Sequence, residues 1–472
     1  MTSAAPQKLL YTSQPFFFTQ PATLAAMAAL HGVEAAPAEA ARVLELGCAS
    51  GGNIIPMAAR FPDASFVGID LEPDAIAEGQ RRIAALGLSN IKLETADILD
   101  VAQRTEEFDY LICHGVLSWV PKKVRNAIFR ICKTQLSPRG LAMLSFNVLP
   151  GWRLEYIIRD ICRGAEDPAL DPQTNVARAI ERLQAVAAGT PDNTPYSFLV
   201  RQAAQKLAGA NPTYFLGEYL APVNKPFRFA DVLRSAGKAG MHYVSEPEVS
   251  ASSPERLVPD AAKARALANG DAAQLQSILD EMSGRSFRRA IFSKAPARSE
   301  PDPKALAQLH VSAALRREAP GSRIFNTGAG AYTAPNDEVA DALADLASVY
   351  PATRSVAALA ATDRSALENA LMLLATSGLL RLQTTPLNIG RASAPKAAAF
   401  EVASLEAADQ NGWFTTLQHH AVVPSNDAKA LLPYLNGSRD RAALADLLQG
   451  SDRSARVEAA LSQLEQAALL RP

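Results

Sequence analysis

Between residues 41 and 148 the chain alternates short apolar runs with amphipathic stretches. The runs are ARVLEL, ASFVGID, NIKLETAD, FDYLICH and GLAMLSFN. Segments 73–87 and 122–135 lie between them, with apolar residues at helical spacing. Near-continuous apolar runs of this length predict strands buried on both faces. Their alternation with helices predicts a parallel sheet covered on both sides. In such a sheet, ligands bind beyond the carboxyl ends of the strands.

Residues 153–225 have a different pattern, helical throughout, with proline breaks at 191, 195, 212 and 222. Two more strand candidates follow. MHYVSEPEV (241–249) comes after the helix-like ADVLRSAGKAG, and FRRAIFSKA (287–295) after SILDEMSGR. If both close the sheet, 153–225 is an insertion between strands five and six that hangs over the strand ends as a lid. PARSEPDPK (296–304) is rich in proline and charge, as a linker is. Beyond it the chain repeats itself. AYTAPNDEVADALADL (331–346) matches AVVPSNDAKALLPYL (421–435), and DRSALENALMLLATSGLLR (363–381) matches DRSARVEAALSQLEQAALLR (452–471). This predicts a duplicated, mainly helical module, winged-helix-like, over 305–390 and 391–472.

Composition narrows the classes. With 472 residues, 48% of them apolar, 20% charged and a net charge of −1, the chain is a soluble multidomain protein without global attraction to nucleic acid or anionic membrane. Residues 300–472 hold 15 Lys and Arg against 18 Asp and Glu, so the winged-helix-like modules lack the cation clusters that DNA binding needs. They are expected to present a protein substrate or to dimerise. Four cysteines (48, 113, 132, 162) show no metal-ligand spacing, and no metal is expected. PATLAAMAAL near the N-terminus lacks the basic flank of a signal peptide. No run approaches the roughly 20 apolar residues of a membrane span. These features predict a cytoplasmic protein.

The first strand runs into VLELGCASGGN (43–53), which opens a helix. Gly47 and Gly51 allow a sharp turn with close ligand approach. The spacing is not the G-x-G-x-x-G of dinucleotide binding, and Glu45 precedes the glycines where it would repel a pyrophosphate. A carboxylate there suits an ammonium-bearing ligand. Asp70 ends the second strand 23 residues beyond Gly47, where a carboxylate accepts ribose hydroxyls. Asp97 ends the third strand, within reach of an adenine amine. An adenosine that carries an amino acid and no phosphate meets all three acids, which points to S-adenosylmethionine. The cofactor shell is expected to comprise Glu45, Gly47, Cys48, Ala49, Gly51, Asn53, Asp70, Leu71, Asp97, Ile98 and His114, with Tyr11 folding over from the N-terminus.

This arrangement resembles the class I methyltransferases. The chain is also similar to a narrower group, the bacterial methyltransferases with a regulatory domain that include the rickettsial protein lysine methyltransferases. The group's HGVYSWVP stands here as HGVLSWVP (114–121), with Leu117 for tyrosine. Its YNTYPGW corresponds to SFNVLPGW (145–152), and its N-terminal YPS…PFxxTxP to YTSQPFFFTQP (11–21). HEYL followed by N-x-P appears as GEYLAPVNKP (217–226), with Gly217 for histidine, and LLPLLDGTRDRAAL as LLPYLNGSRDRAAL (431–444).

The resemblance implies an α/β fold: a Rossmann-like, seven-stranded class I sheet with a helical insertion between strands 5 and 6, then the duplicated region. An N-terminal helical segment (1–40) would lie over the cofactor site of a methyltransferase domain spanning 41–295. It also implies methyl transfer to a protein lysine. His114, Trp119, Asn147 and Tyr219 are the candidate catalytic residues, with aromatic walls able to hold an ammonium. Asn147 with Pro150 resembles the N-x-x-P acceptor motif of amino-methyltransferases, but it follows strand five, not four. Leu117 and Gly217 depart from the group on the expected acceptor side. Two rival readings remain open: a methyltransferase for a small molecule or lipid headgroup, and a non-catalytic adenosine-binding regulator. A homodimer is compatible with either module role.

Overall fold

The structure, a computed structural model, describes residues 13–472. Its first helix, α1 (Pro21–Leu30), leads into a Rossmann-like run: β1 (Arg42–Leu46), α2 (Ile54–Arg60), β2 (Ser65–Asp70), α3 (Pro73–Leu86), β3 (Ile91–Thr95), α4 (Ile98–Val101), β4 (Phe108–Cys113), α5 (Lys122–Gln135) and β5 (Leu136–Asn147). The helical insertion follows as α6 (Trp152–Arg163), α7 (Pro172–Gly189), α8 (Pro195–Leu207) and α9 (Pro212–Phe215). The chain then returns through α10 (Phe229–Lys238) and β6 (His242–Ser245). Four more helices, α11 (Val249–Ser252), α12 (Pro254–Leu257), α13 (Ala261–Ala268) and α14 (Ala272–Ser283), precede β7 (Phe287–Ser293).

These seven strands form one sheet in the order β3-β2-β1-β4-β5-β7-β6. β1 to β5 pair in parallel, whereas β7 is antiparallel to both its neighbours. The alternation alone predicted a parallel sheet. β7 departs from it because the chain re-enters from the carboxyl edge: Val148, just past β5, donates its N–H to the Ser286 carbonyl at 2.8 Å. β6 is also shorter than the 241–249 run, and β5 begins four residues before GLAMLSFN.

From Tyr110 to Cys113 the side chains of β4 alternate between two cores, and both sets are buried. Tyr110 and Ile112 join a core with α1 and α2, and Leu111 and Cys113 join one with α5 and α10. Helix α1 packs against β5, β6 and the C-terminal half, which is why eight of its ten residues are buried and no polar stripe is left. The insertion has a core of its own, built around Val176, Leu183, Val200 and Phe215.

The C-terminal half contains two modules. The first holds β8 (His310–Ser312), β9 (Arg316–Arg317), β10 (Ile324–Thr327), β11 (Gly330–Thr333), α15 (Asp337–Ser348), β12 (Arg354–Ser355), α16 (Arg364–Thr376) and β13 (Arg381–Gln383). The second holds β14 (Ala398–Ala399), α17 (Glu401–Ala408), β15 (Phe414–Thr415), β16 (Ala421–Val422), α18 (Asn426–Leu431), α19 (Arg441–Ala445), α20 (Arg453–Gln466) and β17 (Leu470–Arg471). Each has a β-hairpin wing, β10–β11 or β15–β16, followed by helices and a closing strand. The segment between sheet and modules is tied down: Arg298 and Asp302 donate backbone N–H groups to the carbonyls of His31 and Leu30, both at 2.8 Å. Among the described residues, no helix is long and apolar enough to cross a membrane.

Candidate active site

The turn after β1 is built by conformation before chemistry. Gly47 has φ +77, and a Cβ there would lie 2.4 Å from Val116 Cγ2, so only glycine fits. Its N–H and that of Cys48 both donate to the Ile69 carbonyl, at 2.7 and 3.0 Å, which pins the turn to the end of β2. Cys48 faces inward against Gly68 and contributes backbone only; burial pushes its thiol far above the usual range. Ala49 takes φ +47 and donates its N–H to Asp70 Oδ2 at 2.8 Å, while Asp70 Oδ1 accepts from Glu72 N at 3.0 Å. The Asp70 carboxylate is thus held at the strand end, half-buried, with lone pairs left for hydroxyl donors. Leu71 beside it is 67% exposed. Asp97 caps α4 by accepting from Leu99 N at 2.9 Å, with Ile98 buried behind it.

Glu45 lies under this turn, 4% exposed. Asn53 Nδ2 donates to its Oε1 at 2.7 Å, and its Oε2 has no partner. Desolvation, aided by the negative Asp70, pushes the Glu45 carboxyl up to about 7 against the opposing Asn53 hydrogen bond. A buried acceptor with one oxygen unused is built for a donor, and a cationic one is favoured most. The N-terminal segment closes over the turn from the other side: Gly52 N donates to Ser13 Oγ at 2.8 Å, and Phe16 N to Asn53 Oδ1 at 3.0 Å. Tyr11 lies outside the described residues.

His114, at the end of β4, pairs through Nδ1 with Ser145 Oγ at 2.9 Å; that hydroxyl also accepts from Gly115 N at 2.7 Å. Phe16, Phe18 and Phe287 pack edge-on around the ring, at centroid distances of 4.4, 5.2 and 6.1 Å. Burial, aided by the Arg289 charge, lowers His114 to about 4, so it is neutral near pH 7 and a poor proton acceptor there.

A second group of residues lies where the insertion meets the strand ends. Trp119 meets Trp152 edge-on at 6.1 Å, and the Arg159 guanidinium sits 5.6 Å from the Trp119 ring centre. Trp152 Nε1 donates to Asn224 Oδ1 at 2.8 Å. Arg159 also donates to the carbonyls of Glu218 and Ala221, fixing the turn of π-helix Leu216–Leu220. Tyr219 is 4% exposed and donates to Glu155 Oε2 at 3.0 Å. Desolvation pushes Glu218 up to about 7, opposed by Arg159 and helped by Glu155. Asn147 is buried. Its backbone is held by Ser118 Oγ and Phe227, and its Nδ2 has no partner.

The predicted residues therefore fall in three places. Glu45, Gly47, Ala49, Gly51, Asn53, Asp70 and Asp97 gather at the ends of β1 to β3. Trp119 and Tyr219 gather under the insertion, whereas His114 is packed against the N-terminal segment and β7. Leu117, where the group has tyrosine, is fully buried in the core against the sheet. Ser13, Ser145 and Asn224 join these networks from within the quoted motifs without having been singled out there, and Glu155 and Arg159 join them from outside any motif. Among the described residues no set of three or more His, Cys, Asp or Glu is placed to hold a metal.

Three families match successive parts of this chain: a methyltransferase domain over 43–140, a predicted methyltransferase regulatory domain over 211–294, and the C-terminal winged helix domain of PKMT over 394–469. The uncharacterised protein RP028 of Rickettsia prowazekii is 30% identical over 227 residues, covering 48% of this chain and 91% of that protein. The chain belongs to the class I S-adenosylmethionine-dependent methyltransferases with a methyltransferase regulatory domain. A longer relative, the uncharacterised RP789 of the same organism, is 34% identical over 283 residues, 60% of this chain but 51% of RP789. The chain thus spans about half of that relative's length.

The fold extends across the whole family chain. The structure of PKMT2 from Rickettsia typhi superposes with a TM-score of 0.84 at 21% identity, covering 98% of this chain and 100% of that one. The same protein in complex with AdoHcy gives 0.83 at 20% identity. The regulatory-domain match takes in β6 and β7 as well as the end of the insertion. S-adenosylmethionine is the cofactor of this methyltransferase. The site fits it on its own geometry, through the unpartnered Glu45 Oε2, the Asp70 carboxylate at a strand end and a glycine turn that admits no Cβ at 47.

Proposed function

We propose that this methyltransferase acts on lysine side chains of a protein substrate. The observation that supports this reading best is the cluster at the foot of the insertion that joins the edge-on Trp119–Trp152 pair, the Tyr219–Glu155 hydrogen bond and the half-buried Glu218. When bound, S-adenosylmethionine supplies a methyl group already activated on a sulfonium. The protein then has to align an amine and relieve it of a proton. Aromatic walls hold a lysine ammonium by cation–π attraction and, by excluding water, favour its neutral form. Glu218 is half deprotonated near pH 7, so it can take up the proton that the amine loses. Arg159 holds the Glu218 and Ala221 carbonyls and thereby positions this turn.

The test is incubation of the full chain with methyl-labelled S-adenosylmethionine and a lysate of its own organism. Label in discrete protein bands, recovered as methyl-lysine after hydrolysis, is expected. Label confined to the small-molecule or lipid fraction overturns the proposal.

A further inference from the structure

The two wings of the C-terminal half offer an internal comparison. Aligned on AYTAPND (331–337) and AVVPSND (421–427), Gly328, Ala329 and Gly330 at the tip of the first wing correspond to Gln418, His419 and His420 in the second. The first tip is exposed, with no side chain beyond a methyl. In the second, Gln418 and His419 are buried, 7% and 2% exposed. The second wing does not lie on solvent; it enters the methyltransferase domain beside the glycine turn.

His419 Nε2 lies 3.0 Å from Asn53 Oδ1. That oxygen also accepts from Phe16 N at 3.0 Å, with Thr19 Oγ1 at the same distance. Thr19 has one hydroxyl proton, and the Phe16 carbonyl at 2.7 Å is its nearer acceptor. The two lone pairs of Asn53 Oδ1 therefore go to Phe16 N–H and His419 Nε2–H. The orientation of this amide is forced. Reversing it would aim the Asn53 NH2 at the Phe16 N–H and its oxygen at the Glu45 carboxylate. The imidazole stays neutral at physiological pH, since burial and the nearby Arg60 lower it to about 3. It is therefore a fixed donor, not a titrating switch.

Several contacts hold the wing in this position. Its turn closes with Thr416 N to the His420 carbonyl at 3.0 Å and His419 N to the Thr416 carbonyl at 2.8 Å, and His419 adopts φ +62. His420 forms an antiparallel bridge with Phe16. At the wing's base, Glu406 accepts from Thr415 N at 2.6 Å and Thr415 Oγ1 at 2.7 Å, and it pairs with the buried Arg82 of α3 at 3.2 Å.

We propose that His419 is a positioning residue of the cofactor site: it holds Asn53, Asn53 holds Glu45 Oε1, and the free Glu45 Oε2 is thereby aimed at the cofactor's ammonium. Docking of the second wing and binding of the cofactor then stabilise each other, and by linkage each strengthens the other by the same factor. The inference rests on cofactor binding and not on which acceptor is methylated.

Two measurements on the full chain test it with S-adenosylhomocysteine as the probe. The first is calorimetric affinity of His419→Ala, with His419→Gln as the conservative variant that keeps an N–H donor. His419→Ala is expected to bind roughly fivefold to tenfold more weakly, the size of one buried hydrogen bond, and His419→Gln to recover part of that loss. Wild-type affinity in a folded His419→Ala protein overturns the proposal. The second needs no mutant: hydrogen exchange of the wild type with and without the probe. Slower exchange at 414–422, with 324–333 unchanged, is expected. Equal exchange at 414–422 in both states overturns the proposal, whether or not the variants fold.

Discussion

Glu45 gives the sharpest test of the cofactor site, because its environment predicts a pH dependence as well as a loss. With its carboxyl at about 7, the free protein at pH 6 carries this group about nine-tenths protonated, and at pH 8 about nine-tenths ionised. A ligand ammonium needs the ionised form. Binding therefore has to remove a proton at pH 6, and affinity is expected to fall roughly tenfold between pH 8 and pH 6. The two nearby histidines do not confuse this window, since His114 titrates near 4 and His419 near 3. Glu45→Gln keeps the size of the side chain and its hydrogen bonding to Asn53 after an amide turn, but removes the charge. It should cost the charge-assisted bond, about 1.5–3 kcal/mol or roughly 10- to 150-fold in Kd at pH 8, and flatten the profile.

The assay is titration calorimetry with S-adenosylhomocysteine at pH 6, 7 and 8, in two buffers of different ionisation enthalpy. At pH 7 the wild type should release about half a proton on binding, and the variant none. The free protein supplies an independent check. A buried carboxyl raised from 4.5 to about 7 contributes stability that is complete below 4.5 and lost as pH rises through 7, a change of roughly 3 kcal/mol. A wild-type Kd constant from pH 6 to 8, with no buffer-dependent heat, would refute the assignment of Glu45 Oε2 to the ligand.

Asp70→Ala should abolish measurable cofactor binding, since it removes the carboxylate proposed to accept the ribose hydroxyls and also frees Ala49 and Glu72 N–H; equilibrium dialysis with labelled S-adenosylmethionine checks this, and unchanged affinity places the ribose elsewhere. Glu218→Gln should lower kcat for a protein acceptor on the order of 10²-fold and remove an acid limb near pH 7, with S-adenosylhomocysteine affinity unchanged; an intact pH–rate limb in the variant argues against the proton-acceptor role. Asp280→Ala breaks the buried network in which Arg288 Nε donates to both Asp280 oxygens, at 3.0 and 2.9 Å, and its Nη1 to Glu246 at 2.7 Å; urea unfolding should show a loss of about 3–5 kcal/mol.

The strands and the glycine turn were legible because local rules decide them. An apolar run between helices can only be a covered strand, and acids at strand ends stand where a switch-point ligand must lie. The run from Tyr110 to Cys113 illustrates this: both sets of its alternating side chains are buried. The site's closure was not legible in that way. Ser13 and Phe16 reach Gly52 and Asn53 across 39 and 37 residues, and Ser145 reaches His114 across 31. No periodicity encodes such pairings; only the folded sheet brings them together. Leu117 shows the opposite failure. Its position inside a family motif suggested an acceptor contact, whereas its side chain leaves the backbone toward the core, a direction a motif does not specify.

The C-terminal half makes the same point about domains. The sequence offers a linker at 296–304, which invites truncation there to ask what the modules do. The packing argues that such a cut would not give a clean answer. The apolar core of the first module, Val311, Leu343, Leu371 and Leu382 among others, is continuous with α1 and with the face of the sheet that carries Val43, Tyr110 and Ile112. Removing it would leave α1, which packs on the sheet, uncovered along its contact with β13. The second module keeps its own core, around Phe414, Leu431 and Leu461, and it meets the methyltransferase domain through the buried Arg82–Glu406 pair and the wing carrying His419. The first module is thus inseparable by its apolar core, and the second is attached by polar contacts beside the cofactor turn together with the packing of Ala59 and Leu86 against its core. Point substitutions in that polar seam can test the part the second module plays in cofactor binding with both cores intact, and deletion of the modules cannot.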